Sequence, residues 1–366
     1  MIKYVSNKSG VEEAIQYLNE LPMIGLDTEA NGLDPRKNDL LLIQLGNEID
    51  QYVFDVYLLG KHNSLLISFL NSCNGLLIAH NMKFDYKMLK YHLGFNPGRV
   101  ACTYIGEKLL TQGKRVDCGL VDAANKYLRT NLDKDERSSF IDLPFGSKFT
   151  KSQIQYAGED VQYLIPLYLA IQNLLVEREM ENLAKLEYET TKLTADLELN
   201  GIYINKEKWL ALKTIAEKEA KISKTELDKH FLKYCQVDLF GEPIVNYKSV
   251  KQIKPVLNKI CGFNLKTTEE KYLKALESSY PVIKSLFDFR RSVKKVDTYG
   301  QSFIDQHVHS DGRIYSTFLQ LGAETGRFSS RNPKLNWGLL KKFNSVKNVN
   351  SVKAKFLLDM PIPSQA

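Results

Sequence analysis

Two carboxylates held side by side are costly for a fold and useful to a cation. The sequence offers such a pair in Leu26-Asp27-Thr28-Glu29, at the end of the apolar run Met23 to Leu26. Side chains on an extended strand alternate between faces, so Asp27 and Glu29 project together. Like charges that close repel, and a divalent cation between them removes the repulsion while using both sets of oxygens. Asp-x-Glu at a solvated strand end is commonplace, so the pair alone decides nothing. A third acid stands in Ala79-His80-Asn81-Met82-Lys83-Phe84-Asp85, where Asp85 falls in a first helical turn, a place the helix dipole also favours. A fourth closes Tyr156-Ala157-Gly158-Glu159-Asp160. Positions i and i+4 share a helix face, which sets the Tyr156 hydroxyl beside the Asp160 carboxylate.

The elements that must carry these residues are legible from periodicity. Strands are expected at Tyr4-Val5, Met23 to Asp27, Leu40 to Leu45, Gln51 to Val56 and Leu76 to Ala79, the first of them alternating like a meander. Helical spacing covers Val11 to Leu18, Leu65 to Leu70, Phe84 to Leu93, Ile105 to Leu110 and Leu120 to Leu128. This predicts an α/β domain, a mixed sheet flanked by helices, ending near Asn182. From Lys185 long Lys/Glu-rich helical patterns take over, through Leu186 to Leu199, Lys208 to Leu232 and Pro281 to about Gln306. The last carries Arg290, Arg291, Lys294 and Lys295 as a basic stripe.

At 366 residues, with 43% hydrophobic and 25% charged residues, the chain has the composition of a globular protein of two or three domains. The five scattered cysteines form no CxxC pair, which predicts free thiols and no structural zinc. No apolar run approaches membrane-spanning length and the N-terminus has no signal-like apolar core, so a cytoplasmic protein without membrane association is expected. The net charge of +7 is uneven: residues 1–180 carry about −3 and residues 181–366 about +10. An acidic half suited to cations thus precedes a basic half suited to a polyanion.

Taken together, Asp27, Glu29, Asp85 and Asp160, with Tyr156 four residues before the last, resemble in order, context and spacing the tyrosine-bearing DEDD 3′→5′ exonucleases. That resemblance implies an RNase H-like fold and two divalent ions, Mg²⁺ or Mn²⁺, held by the four acids. Asp27 would bridge both ions, Glu29 and Asp160 would complete the first, and Asp85 would hold the second through water. Tyr156 and Glu29 would orient the attacking water, while Asn81 and Phe84 would meet the terminal nucleotide. Phosphodiester hydrolysis suits this residue set, because two hard ions activate water and stabilise the leaving oxygen, and both prefer carboxylate ligands.

The run from Tyr156 to Tyr168 is similar to RNase D as well, which leaves an exoribonuclease as an alternative at this point. Later segments favour DNA. Ala195-Asp-Leu-Glu-Leu-Asn-Gly-Ile-Tyr-Ile-Asn205 and Phe287 to Tyr299 resemble the thumb of family A DNA polymerases. Gly322-Ala-Glu-Thr-Gly-Arg-Phe-Ser-Ser-Arg-Asn-Pro-Lys-Leu-Asn336 is similar to their DNA-contact element at the palm entrance. There Thr325, Arg327, Ser329 and Ser330 supply a cation and hydroxyls suited to phosphate and groove acceptors.

The implied organisation is an exonuclease domain at 1–182, a helical thumb-like region at 183–308, the start of a palm at 309–336 and an unrelated tail at 337–366. The implied partners are a single-stranded DNA 3′ end and a primer–template. The family pattern stops after Leu335, and the tail has the single acid Asp359 and none of the polymerase catalytic motifs. No polymerase activity is therefore expected from this chain alone. A polymerase split or interrupted at that point, as in a phage or mobile replicon, would look like this. So would a DNA-binding or assembly fragment completed by a separately encoded palm and fingers polypeptide. The palm start is expected to expose apolar strand surface at Ile314, Phe318 and Leu319.

Overall fold

The computed structural model describes residues 1–112, 114, 116–130 and 135–334. The expectations for Leu335, Asn336 and the tail 337–366 lie outside the described residues. Two compact units are present: one comprises Met1–Gly201 and the segment returning from Tyr315, the other Ile202–Ile314. The first unit therefore runs past the boundary expected at 182.

In chain order the first unit contains β1 (Ile2–Val5), α1 (Lys8–Leu18), β2 (Met23–Ala30), β3 (Leu40–Gly46), β4 (Gln51–Asp55), α2 (Val56–Leu59) and α3 (Asn63–Ser72). It continues through β5 (Leu76–Ala79), α4 (Met82–Leu93), β6 (Val100–Cys102), α5 (Thr103–Leu110) and α6 (Leu120–Leu128). Three longer helices close it: α7 (Lys151–Gln162), α8 (Leu164–Glu177) and α9 (Glu181–Asn200). The six strands form one mixed sheet in the order β1-β4-β3-β2-β5-β6. The meander reading holds only for β2, β3 and β4, which run antiparallel to one another. β1 instead pairs in parallel with β4 at the far edge, and β5 and β6 extend the other side of β2 in parallel. The strand β6, three residues long, was not expected; so short a run has no readable alternation.

The central strands explain themselves. Every residue of β3 is buried, as an apolar strand covered on both faces must be. On β2 alternation sends Ile24, Leu26 and Thr28 to one face and Gly25, Asp27 and Glu29 to the other, over which α7 lies. Leu42 and Val53 pack with Ala157 there.

The second unit holds β7 (Ile202–Tyr203), α10 (Lys206–Phe231), α11 (Val250–Cys261), α12 (Glu270–Leu273), α13 (Pro281–Tyr299), α14 (Gln301–His307) and β8 (Arg313–Ile314). Its core joins Leu227 and Phe231 of α10 to Ile253 and Leu257 of α11 and to Leu286 and Phe287 of α13. Trp209 stacks on Phe303 at 4.8 Å and closes the other end of α10. The basic stripe of α13 is largely engaged. Arg290 donates to the Thr268 carbonyl and hydroxyl, Arg291 pairs with Glu270 and Lys295 with Glu219.

The returning segment adds a two-stranded ribbon, β9 (Thr317–Leu319) with β10 (Ser329–Arg331). The expected apolar exposure of the palm start is overturned: Ile314 is 0% and Phe318 4% exposed, and Leu319 is half-buried. Ile314 is covered because β8 pairs with β7, opposite Ile202. Phe318 is held because its backbone is met by charged side chains. The Glu198 carboxylate accepts its N–H at 2.7 Å and the Lys83 ammonium donates to its carbonyl. An ion pair of 2.7 Å between those two side chains thus offers β9 a donor and an acceptor, as a neighbouring strand would. All five cysteines are free thiols, as expected.

Candidate active site

Strand β2 delivers the first two acids, and the close approach of α7 delivers Tyr156 and Asp160. α7 is started by a capping box: Thr150 Oγ1 accepts the Gln153 N–H at 3.1 Å, and Gln153 Oε1 accepts the Thr150 N–H at 2.9 Å. That fixes the phase of the helix, so Tyr156 and Asp160 emerge together one turn apart. The helix comes close to the sheet because glycines allow it. A Cβ on Gly25 would lie 2.9 Å from Val161 Cγ1 and 3.1 Å from the Val161 carbonyl, and one on Gly158 would run into the Ile2 side chain. Asp160, next to Val161, is thereby carried up to β2.

Asp27, Glu29 and Asp160 each offer an oxygen, and these oxygens lie within 4.8 Å of one another. No other group of three or more acids, histidines or cysteines with this spacing occurs among the described residues. Burial, with the charges of Asp85, Asp160 and Glu29, pushes the Asp27 carboxyl well above its ordinary value of 3.8. The site is thus a concentration of carboxylates whose charges oppose one another. A donor set made of carboxylate oxygens fits hard divalent ions of the Mg²⁺ or Mn²⁺ kind.

Asp85 approaches from α4. It is 1% exposed and accepts a 2.7 Å hydrogen bond from Thr28 Oγ1, the β2 residue between the two acids. It stands outside the set of three yet near enough to raise Asp27. Tyr156 hydrogen-bonds to Asp160, and its ring tilts against Phe140 at 6.3 Å. Burial and the three neighbouring carboxylates drive its hydroxyl far above the ordinary tyrosine range. It keeps its proton at neutral pH and is a donor, not a base.

Asn81, in the left-handed region at φ 67°, ends β5's connection to α4 with its side chain exposed, and Phe84 is half-buried one turn on. Thr325 and Arg327 lie exposed in the turn between β9 and β10, and Ser329 and Ser330 open β10 half-buried. Gln112 Nε2 ties this turn to the end of α5 through the carbonyls of Ala323 and Glu324. The structure brings Asp27, Glu29, Asp160 and Tyr156 together, with Asp85 behind them. The turn residues form a separate exposed group. Thr28, Lys83 and Glu198 went unnoticed in the sequence, since a threonine between acids and a Lys/Glu pair far apart in the chain carry no local signal.

Residues 2–176 match the family model described as 3′-5′ exonuclease, and residues 214–338 match the one described as DNA polymerase family A. The fold, a mixed sheet flanked by helices and followed by a helical region, is consistent with an RNase H-like domain of the class that the 3′-5′ exonuclease model describes. The chain is thus similar over residues 2–176 to the 3′-5′ exonuclease family and over residues 214–338 to DNA polymerase family A.

Among its relatives, DNA polymerase I of Aquifex aeolicus is 27% identical over 351 residues, covering 91% of this chain and 57% of that protein. DNA polymerase I of Borreliella burgdorferi is 26% identical over 353 residues, covering 91% of this chain and 37% of that protein. The chain thus spans between about a third and somewhat over half the length of these relatives. The polymerase domain of Pol1 from M. smegmatis, solved with DNA primer-template and dNTP, shares the fold at 19% identity and a TM-score of 0.69. That match covers 91% of this chain and 55% of the solved one. Among the described residues no helix is long and apolar enough to cross a membrane.

Proposed function

We propose that the protein is a metal-dependent 3′→5′ exonuclease of the proofreading type, removing nucleotides from DNA 3′ ends. The observation that carries this reading is the convergence of oxygens from Asp27, Glu29 and Asp160 to within 4.8 Å, beside the Tyr156 hydroxyl. Two divalent ions, when bound, supply a water activated near neutral pH and charge stabilisation for the leaving 3′ oxygen. Asp27, Glu29 and Asp160 would hold such ions through their carboxylate oxygens, with Asp85, oriented by Thr28, in support. Tyr156 donates to Asp160 and, with Glu29, orients the attacking water in line with the scissile phosphate.

Asn81 and Phe84, at the head of α4, suit the terminal nucleotide, the one by hydrogen bonding and the other by packing. DNA is the better substrate because residues 214–338 match a DNA polymerase family and a structural neighbour holds a primer–template. In this reading residues 1–182 carry the chemistry, and residues 183–308 serve as a thumb. Residues from 309 lead toward a palm, with Thr325, Arg327, Ser329 and Ser330 placed for phosphate and groove contacts.

The test is digestion of 5′-labelled single-stranded DNA and matched RNA with Mg²⁺ or Mn²⁺, wild type beside the Asp27→Ala/Glu29→Ala double variant. The expected result is a metal-dependent ladder on DNA, shortened from the 3′ end and absent with the variant. A ladder confined to RNA would overturn the choice of substrate, and no ladder on either would overturn the reading itself.

A further inference from the structure

Strand β3 is apolar but for Gln44, and Gln44 is 0% exposed. Among the described residues neither its Oε1 nor its Nε2 meets a hydrogen-bond partner. Other buried glutamines are served: Gln51 Nε2 donates to the Asn47 carbonyl at 2.6 Å, and Gln153 closes the capping box of α7. A leucine or methionine would fill the place of Gln44 with no polar group to satisfy, so an amide there calls for a ligand.

Its position says which ligand. In the antiparallel register Gln44 stands directly opposite Asp27 on one side and Val53 on the other. Directly opposed residues share a face, and Val53 and Leu42 on that face pack with Ala157 of α7. The amide is therefore enclosed beneath α7, on the same face as the acidic cluster. Directly opposed side chains have Cβ atoms about 4.5–5.5 Å apart, a span at which an amide and a shorter carboxylate can share one water.

We propose that Gln44 is a positioning residue for Asp27, acting through one buried water that accepts from Gln44 Nε2 and donates to the Asp27 carboxylate. The inference rests on the exonuclease reading, because its consequence is that Asp27 is aimed toward the cations. With one carboxylate direction taken by the water, the remaining lone pairs are presented to the metal side. The same contact satisfies a polar group that the fold otherwise leaves unpaired.

The experiment uses the full chain and the Gln44→Met variant, which keeps side-chain length and removes the amide. Free Mn²⁺ is titrated by electron paramagnetic resonance, and thermal unfolding is followed without metal. The expected result is a metal-free Tm at or above that of wild type, with Mn²⁺ affinity lowered about tenfold or more. A merely structural glutamine would leave Mn²⁺ affinity within twofold of wild type, and that result would overturn the proposal while leaving the exonuclease reading intact. If wild type itself binds no Mn²⁺ and digests no nucleic acid, both fall together. Should the variant not unfold cooperatively, the crystal structure of wild type with Mn²⁺ decides. A water within about 3.2 Å of both Gln44 Nε2 and an Asp27 oxygen supports the proposal, and its absence from clear density overturns it.

Discussion

The Thr28 hydroxyl donates a 2.7 Å hydrogen bond to Oδ1 of Asp85, and so ties the acid on α4 to the strand that carries Asp27 and Glu29. The bond is buried and its acceptor is a carboxylate, the stronger kind of hydrogen bond, worth roughly 1.5–3 kcal/mol. Thr28→Val keeps the shape and removes the donor. The expected outcome is a folded protein whose exonuclease rate falls about 10–100-fold at limiting Mg²⁺, partly recovered at high Mg²⁺. A rate unchanged at every Mg²⁺ concentration would show that Asp85 needs no such anchor.

Gly25→Ala tests the approach of α7. The new methyl would sit 2.9 Å from Val161 Cγ1 and 3.1 Å from a backbone oxygen, and the latter cannot swing aside. Overpacking of this kind costs about 1–3 kcal/mol. Because Asp160 adjoins Val161, the metal-binding set should loosen as well. Calorimetry and Mn²⁺ titration should therefore both register the change, and a loss of Tm with unaltered Mn²⁺ affinity would separate packing from site geometry.

The pH dependence of the metal-free protein follows from Asp27. Its folded pKa lies above the ordinary 3.8 because of burial and three neighbouring carboxylates. A carboxyl raised in this way is protonated in the folded state where the unfolded chain is already ionised. Its contribution to stability is complete below about pH 3.8 and is lost as pH rises through the folded pKa. Metal-free Tm should accordingly decline as pH rises above about 3.8 for this group, and Asp27→Asn should remove that decline. Saturating Mg²⁺ should also reverse it. Tm profiles of the two proteins that coincide would count against a raised Asp27.

Glu198 is 4% exposed and accepts from Lys83 at 2.7 Å, Lys87 at 2.6 Å and the Phe318 N–H at 2.7 Å. Removing one member of a buried charge set strands the others, at about 3–5 kcal/mol. Glu198→Ala should therefore destabilise the first unit by that order in urea titration. Glu12→Ala, which breaks the exposed Lys8–Glu12 pair of 3.1 Å, should cost less than about 1 kcal/mol. Equal effects from the two substitutions would mean that the clamp on β9 carries no special weight.

Much of the chemistry could be read without coordinates. Alternation on a strand put Asp27 and Glu29 on one face, helical spacing put Tyr156 beside Asp160, and the carboxylate donors are of the type that suits a hard divalent ion. These are local consequences of backbone geometry, which a short stretch of chain determines for itself. What the tertiary structure decided was long-range. It showed that Gly25 lets α7 descend on β2, that Thr28 turns to the opposite face to reach Asp85, and that β1 leaves the meander to pair with β4. It also turned an expected apolar exposure into burial, because Glu198 and Lys83, 115 positions apart in the chain, converge on Phe318. Residue types limit which partners a side chain will accept, but only the packed chain, where desolvation makes each unmet charge or amide costly, selects which partners it finds.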